Sequence, residues 1–261
     1  MKIDKNILAL AKKQFCLDSN CLEEKKLVQP GKKEIHINRS KKLPGARIYQ
    51  NEFFFKAITC FGELFIMADD AIYPWAVDFF KEASPEWFCC YKNLREIDRK
   101  LNEYGREILD THIYFLPDAD AGTVQPICDV KWYEKDEILQ LKENNPFGNA
   151  LMFSEAQPDM LAVAALNKGK MIGMAGASAD GEYMWQIGID VLPEYRGHGL
   201  ATNLTTLIKQ EIERRGKVPF YGTSESHSVS QSVAIKAGFF PAWAEIYTHK
   251  KPTEKKLEAK H

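Results

Sequence analysis

The segment 184–215 constrains the fold most, because three different local patterns follow one another within it. Apolar and polar residues alternate from Trp185 to Val191, which predicts a strand with two unequal faces. From Leu200 onward, apolar residues recur at three- and four-residue steps, which predicts a helix with one buried face that ends at Gly216. The segment therefore predicts a strand, a short loop and an amphipathic helix packed as one unit.

The loop between the strand and the helix, residues 196–201 (RGHGLA), contains Gly197 and Gly199. Glycine permits backbone angles that other residues resist, and it lets main-chain N–H groups come close to a ligand. The N–H groups at a helix start lack partners within the helix and favour phosphate. The spacings of a dinucleotide-binding loop, G-x-G-x-x-G, and of a P-loop, G-x-x-x-x-G-K-[ST], are both absent here. Two interpretations are left: an anion cradle, or a glycine turn that joins the strand to the helix without a ligand.

This unit resembles motif A of the GNAT superfamily of N-acyltransferases. Arg196, Gly199 and Ala201 meet the family pattern Arg/Gln-x-x-Gly-x-Gly/Ala, and residues 191–195 meet the Val-x-Pro-Glu-Tyr that precedes it. The resemblance implies that the loop binds the pyrophosphate of acetyl-CoA and that the strand lends backbone groups to the pantetheine arm. The residues that we assign to the cosubstrate on this basis are Ile189, Asp190, Val191, Arg196, Gly197, His198, Gly199, Leu200, Ala201, Thr202 and Ser230.

The resemblance covers residues 127–250, about half of the chain. It implies a mixed, mostly antiparallel sheet flanked by helices, so we predict the α/β (α+β) class. The patterns in this region predict strands at residues 127–132, 160–166, 171–178, 184–191, 219–223 and 239–248, and helices at residues 134–142, 201–215 and 228–237.

The first half of the chain predicts another α/β unit. Its patterns predict helices at residues 5–15, 73–83 and 93–104, two strands within 53–67, and strands at 86–91 and 108–116. Part of this order repeats that of the second half, which leaves two interpretations: a degenerate GNAT copy or an unrelated accessory domain. The segment in the place of the phosphate loop has no glycine and carries Asp69 and Asp70, so a copy would have lost the coenzyme.

The stretch 118–126 (DADAGTVQP) has the composition of a linker. We therefore predict an N-terminal domain over residues 1–120, an acyl-CoA-binding domain over residues 126–250 and a mobile tail over residues 251–261. Basic residues before position 50 are spread among carboxylates, so we predict a solvated face without a function for Lys25, Lys26, Lys32, Lys33, Lys41 and Lys42.

Charge is nearly balanced, with 35 basic and 36 acidic residues and a formal net charge of −1. No overall field recruits nucleic acid or an anionic membrane, so we predict neither as a partner. The six cysteines form no C-x-x-C pair and have no histidine at zinc spacing, so we predict no metal. We recognise neither a signal peptide nor an apolar stretch of transmembrane length, which predicts a cytoplasmic protein.

Amide formation from a thioester needs an acid for the departing thiolate and a base for the attacking amine. In many relatives the acid is a tyrosine on the helix after the fifth strand, ahead of a basic-x-Gly-Phe signature. Here the signature is residues 236–239 (KAGF), and counting back places Ala234 at the tyrosine and His227 at an asparagine. The usual acid is therefore absent, and His227, a nearby serine hydroxyl or water-mediated protonation are the alternatives.

For the base, Trp185 stands where some relatives carry a glutamate in the motif A strand. Glu225 is our first candidate, because it follows the predicted strand 219–223 where two strands should splay apart around the thioester. Glu182, in the turn before the motif A strand, and His227 are the other candidates. A solvated loop glutamate is the alternative interpretation of Glu225.

We therefore predict an N-acetyltransferase that moves an acetyl group directly from acetyl-CoA to a primary amine. The alternative is a catalytically silent acyl-CoA-binding regulatory or scaffold protein, which the absent tyrosine favours. The acceptor, a small molecule or a protein amine, and the oligomeric state are not specified by these residues.

Overall fold

The computed structural model describes residues 3–21, 34–47 and 53–252. Within this part of the chain, ten strands form one sheet, flanked by six α-helices. The strands are β1 (Glu34–Arg39), β2 (Phe55–Cys60), β3 (Glu63–Ala68), β4 (Arg106–Pro117), β5 (Asp129–Glu134), β6 (Asp159–Asn167), β7 (Lys170–Ser178), β8 (Met184–Val191), β9 (Val218–Ser224) and β10 (Phe239–Lys250). The helices are α1 (Lys5–Asp18), α2 (Tyr73–Phe80), α3 (Tyr91–Asn102), α4 (Lys135–Leu139), α5 (Leu200–Arg214) and α6 (Ser228–Lys236).

The strand order is β1-β3-β2-β10-β4-β9-β8-β7-β6-β5. Only the β1–β3 and β8–β9 pairs are parallel among the described strands, so the sheet is mixed and mostly antiparallel, and the predicted fold class is confirmed. Strand β4, from the first half of the chain, lies between β9 and β10 from the second half. The sheet therefore continues across the predicted linker. The domain division and the internal-copy interpretation stay predictions.

Strands β8 and β9 are paired at one end and diverge at the other. Their register runs from Met184 opposite Val218 to Ile187 opposite Tyr221. Beyond that point, β8 stays paired with β7 as far as Val191, whereas β9 stays paired with β4. A cleft therefore opens between the two strands at the end of the sheet where the glycine loop follows β8.

Helices α1 and α5 cover opposite faces of this central pair. The α5 residues Leu204 and Ile208 are fully buried in one cluster with Ile187 and Tyr221, as the helical periodicity predicts. Phe220, the strand neighbour of Tyr221, packs instead in the cluster formed with α1. This alternation follows from the two-residue period of a strand and directs Tyr221 toward the side of α5 and α6.

Two parts of the first half differ from the sequence-based expectation. The predicted strand at residues 86–91 is a short 3-10 turn, Pro85–Trp87, that leads into α3. In this segment Phe88 is buried, whereas Trp87 and Tyr91 are each 73% exposed, which is not the alternation of a half-buried strand. Strand β1, which was not predicted, pairs with β3 across a long separation in sequence. The lysines at positions 25, 26, 32 and 33 and most of the predicted tail lie outside the described residues.

Candidate active site

The glycine loop after β8 presents main-chain donors to the cleft. Gly197 and Gly199 adopt the left-handed backbone region, with φ of 82° and 78°. Gly199 is the N-cap of α5 and has no side chain that could cap the helix. The first intrahelical hydrogen bond is donated by the N–H of Asn203 to the carbonyl oxygen of Gly199. The preceding N–H groups of the helix start therefore point outward without intrahelical partners, which is the arrangement that binds phosphate.

The Arg196 side chain shapes this loop. Its Nε donates a hydrogen bond of 2.9 Å to the carbonyl oxygen of Val191, at the end of β8. This contact closes the turn between strand and helix and holds a guanidinium beside the N–H groups. A cation and unpaired donors together make the loop suited to a pyrophosphate.

A cavity of about 630 Å³ runs from this loop along β8 to α6. Its charged lining includes two cations, Arg196 and Lys236. All but one of the predicted cosubstrate residues line it; the exception is His198, which is exposed and lies outside the lining. The predicted residues that line it are Ile189, Asp190, Val191, Arg196, Gly197, Gly199, Leu200, Ala201, Thr202 and Ser230.

Asp190 lines this cavity, but its carboxylate is occupied by a neighbouring loop. It accepts hydrogen bonds from the backbone N–H of Asn149 at 2.6 Å, from the Asn149 amide at 2.6 Å and from the N–H of Ala150 at 3.2 Å. A Cβ at Gly188 or Gly176 would overlap the carbonyl oxygens of Asn149 or Ala150, respectively. The two glycines therefore let the 149–150 loop lie directly on the sheet, where Asp190 holds it.

A cavity of about 670 Å³ lies on the other side of the cleft, beneath residues 149–157 and over the ends of β6, β7 and β8. It has a polar lining that contains three carboxylates, from Asp110, Asp159 and Asp180. The two cavities meet where β8 and β9 diverge. The residues that line both are Asn149, Ile189, Tyr221, His227 and Ser230.

Tyr221 lies at this junction and was not predicted as a site residue. It is 3% exposed, and its hydroxyl lies 2.9 Å from the Ser230 Oγ on α6. Burial raises the pKa of the Tyr221 phenol, the Ser230 hydrogen bond lowers it by less, and the negative Asp190 adds a still smaller rise, so that the pKa lies above its ordinary value. The phenol is therefore protonated at neutral pH.

The three predicted catalytic residues are not brought together. His227 is exposed, lines both cavities, and has its Nδ1 3.4 Å from the Thr223 hydroxyl. Glu225 is exposed and lines neither cavity. It lies near Cys89, and the pKa of the Cys89 thiol is raised to about 11, mainly by burial and secondarily by the negative charge of Glu225. Glu182 also lines neither cavity: its backbone N–H bonds to the Gly45 carbonyl at 3.0 Å, at the end of β8 away from the cleft.

Two further features bear on the sequence-based expectations. Trp185, in the position of the base of some relatives, is 7% exposed and packs in the core beneath α5. No group of His, Cys, Asp and Glu residues suited to a metal ion occurs within residues 3–21, 34–47 and 53–252. Nor does this part of the chain contain a helix long and apolar enough to cross a membrane.

Comparisons with known proteins bear on the same region. The model of the acetyltransferase (GNAT) family matches residues 126–239. A comparison with curated proteins finds no match. The chain is similar in structure to a GCN5-related N-acetyltransferase from Kribbella flavida, with 17% identity over 73% of this chain and 79% of the other and a TM-score of 0.45.

Two other solved structures are similar over shorter parts. One is a GCN5-related N-acetyltransferase-like protein from Streptococcus suis, with 17% identity, a TM-score of 0.41 and coverage of 60% of this chain and 68% of the other. The other is the aminoglycoside N-acetyltransferase AAC(6')-Iy in complex with CoA, with 23% identity, a TM-score of 0.33 and coverage of 44% and 92%. The family match falls on the region where the sequence resemblance placed it. Residues 126–239 therefore form a domain of the acetyltransferase (GNAT) family, and the chain is an enzyme of the acetyl-CoA-dependent N-acetyltransferase class.

Proposed function

We propose that the protein transfers the acetyl group of acetyl-CoA directly to a primary amine, at the junction of the two cavities. The observation that carries this proposal is that a cavity lined by the glycine loop and a second, polar cavity share Tyr221, His227 and Ser230. One cavity then holds the donor and the other holds the acceptor. Their meeting point is the place where a thioester and an amine come into contact.

The donor cavity fits coenzyme A by the chemistry of its lining. The pyrophosphate would lie against the N–H groups of Gly197 to Thr202, with Arg196 and Lys236 supplying positive charge. The pantetheine arm would follow β8 from Val191 toward Ile189, because the edge of β8 that faces β9 has no paired strand beyond Ile187. Backbone groups on such an edge are free to bond an extended amide chain.

Tyr221 is the acid in this proposal. The amine nitrogen attacks the thioester carbonyl, a C–N bond forms and the C–S bond breaks. The departing thiolate takes the phenolic proton of Tyr221, while Ser230 holds the phenol by its hydrogen bond. Tyr221 on β9 would thus serve in place of the helix tyrosine, whose position is taken by the fully buried Ala234.

His227 is the proposed proton acceptor for the amine. Of the three candidates from the sequence, it alone lines the cavities, and it lines both. Imidazole side chains take up and release protons near neutral pH, which suits removal of a proton from an ammonium ion or from the attacking amine. Thr223, 3.4 Å from Nδ1, would orient the ring.

Release of the CoA thiol from acetyl-CoA in the presence of primary amines tests the proposed function. We expect saturable acetyl-CoA binding and thiol release that depends on the amine. Binding without amine-dependent release over a broad acceptor panel would support the catalytically silent binder. The absence of acetyl-CoA binding would rule out both functions.

A further inference from the structure

Lys209 of α5 is a buried lysine whose ammonium group lies at the end of α6. The residue is 3% exposed, and its Nζ donates hydrogen bonds of 2.7 Å to the carbonyl oxygen of Ala237 and of 3.4 Å to that of Gly238. Ala237 is the C-cap of α6. The last carbonyl groups of a helix lack partners within the helix and carry partial negative charge, so a cation is favourable there. Lys209 therefore ties the end of α6 to α5.

The residues around this ammonium group leave room for it. Gly238 has a φ of 79°, and a Cβ at this position would lie 2.8 Å from the Lys209 Nζ and 2.4 Å from the Cβ of Ala121. The Nζ also lies 5.3 Å from the centre of the Phe239 ring. Burial lowers the pKa of Lys209, which reflects the cost of keeping a charge in this place. An apolar side chain would fill the space without that cost, so the hydrogen bonds to the helix end are what the lysine adds.

Helix α6 buries little of its own surface. Of its nine residues only Ala234 is buried. Near its start, the side-chain amide of Gln231 donates hydrogen bonds to the carbonyl oxygens of Ser224 at 3.2 Å and Glu225 at 2.8 Å, which ties the helix to the end of β9. A helix with so little buried surface depends on polar contacts at its ends to keep its position. Gln231 supplies such a contact at the first end of α6, and Lys209 supplies one at the other.

The same helix carries groups on which the proposed chemistry depends. The Ser230 Oγ lies 2.9 Å from the Tyr221 hydroxyl, and His227, the N-cap of α6, lines both cavities. At 1.5 Å per residue, Ser230 lies about 10 Å along the helix axis from Ala237. Over this distance, a small change in the direction of the helix at its end displaces the Ser230 hydroxyl from the phenol. The placement of the Tyr221 proton therefore depends on how firmly the end of α6 is held.

We propose that Lys209 is a positioning residue for the acid of the reaction: it holds α6 against α5, and α6 in turn holds the Tyr221 phenol through Ser230. This inference rests on the proposed function, in which Tyr221 protonates the departing thiolate. Lys209 itself lines neither the donor cavity nor the acceptor cavity. Its loss is therefore expected to affect the acid step more strongly than the binding of acetyl-CoA. Helix α5 then has two roles, since it binds the donor at its start and orients the acid through Lys209.

Lys209→Met removes the ammonium group and keeps most of the side-chain volume. We expect kcat for amine-dependent thiol release, counted per acetyl-CoA-binding site, to fall at least about tenfold, and the Kd for acetyl-CoA to change by less than about threefold. Lys217→Met is the matched control. Lys217 lines a third cavity together with Lys209, and its Nζ also donates to a backbone carbonyl, that of Glu182 at 2.7 Å, away from the cleft. We expect this control to leave both kcat and the Kd unchanged.

A double-mutant cycle with Ser230→Ala separates positioning from a general loss of stability. If Lys209 acts through Ser230, Lys209→Met lowers kcat much less in the Ser230→Ala background than in the unsubstituted chain. An equal loss of kcat in both backgrounds overturns the inference. Lys209→Gln, which keeps a shorter neutral donor, takes the place of Lys209→Met in the same cycle if the methionine variant does not fold, and we expect the same pattern.

The failure of this inference and the failure of the proposed function have different signatures. Amine-dependent thiol release by the unsubstituted chain, together with an unchanged kcat in the Lys209 variant, overturns the inference and leaves the proposed function intact. A fall in kcat that is matched by an equal rise in the Kd for acetyl-CoA also overturns it, because Lys209 would then support the donor site as a whole. No release by the unsubstituted chain with any amine overturns the proposed function itself.

Discussion

At the scale of single residues, the site depends on side chains that the sequence pattern identifies as core. Tyr221 follows the apolar Phe220 in a predicted strand, and both residues are buried. Nothing in the sequence pattern distinguishes Tyr221 from an aromatic residue of the core. Its hydroxyl lies 2.9 Å from the Ser230 Oγ, beside the point where β8 and β9 diverge. Whether a strand residue borders a cleft depends on which strands pair with its neighbours. That information is non-local, so the positions of Glu225 and Glu182 in the chain do not show whether either residue borders the cleft.

Tyr221→Phe removes the phenolic proton and keeps the ring. We expect kcat for thiol release to fall by about 10² to 10⁴ and the Kd for acetyl-CoA to change by less than about threefold. Tyr133→Phe is the matched control, since Tyr133 is also buried but lies outside both cavities. An unchanged kcat in Tyr221→Phe would remove Tyr221 from the mechanism.

The pH dependence of kcat follows from the same residue. An acid must be protonated to act, and burial raises the pKa of Tyr221 above the ordinary value of about 10. The contribution of Tyr221 is therefore fully present at neutral pH and is lost only as pH rises through that raised pKa. An alkaline decline of kcat centred well below pH 10 that disappears in Tyr221→Phe would contradict this assignment.

At the scale of elements, the strand, glycine loop and helix were predicted correctly because each is specified by local sequence. Strand alternation, helical periodicity and the two glycines all lie within residues 184–216, and the structure has β8, the loop and α5 there. Strand β1 was not predicted, and the strand predicted at residues 86–91 was wrong, because this segment forms the turn Pro85–Trp87. Strand β1 depends on its pairing with β3, which is distant in sequence. The conformation around Pro85–Trp87 buries the single residue Phe88, which leaves no repeating pattern in the sequence.

Gly199→Ala tests the cradle. At a φ of 78° a side chain is strained by roughly 1–2 kcal/mol, although a Cβ there meets no atom within 4 Å. We expect the Kd for acetyl-CoA to rise by about tenfold, because the N–H groups of the helix start shift as the strain is relieved. Gly169→Ala is a matched control: its φ is 79°, its Cβ also meets open space, and it lies in the turn between β6 and β7. Equal effects of both changes on the Kd would show that the loop is not the binding site.

At the scale of the whole molecule, the first half of the chain completes the sheet that carries the site. Strand β4 separates β9 from β10, and both of its edges are paired with strands of the second half. Arg47 is fully buried and forms ion pairs with Asp18 of α1 and Glu245 of β10. Although burial by itself raises the pKa of Glu245, Arg47 and Lys56 lower it below its ordinary value. The predicted division into two domains does not include the insertion of β4 between β9 and β10, because the pairing of strands that are distant in sequence is not specified by local patterns.

A fragment of residues 118–261 tests whether the second half folds alone. Without β4 the edge of β9 is exposed, and without Arg47 the buried Glu245 carboxylate loses its closest cation. We expect the fragment to aggregate or to unfold without cooperativity in thermal denaturation, whereas the full chain unfolds cooperatively. A soluble fragment with a cooperative transition and the Kd of the full chain for acetyl-CoA would support the independent domain predicted over residues 126–250.

The central claim is that the thioester of acetyl-CoA reaches the junction of the two cavities at Tyr221. A crystal structure of the full chain with coenzyme A measures this most directly. We predict the pyrophosphate against the N–H groups of Gly197 to Thr202 and the thiol within hydrogen-bonding distance of the Tyr221 hydroxyl. A pyrophosphate bound elsewhere, or a thiol that ends away from Tyr221, would contradict the account.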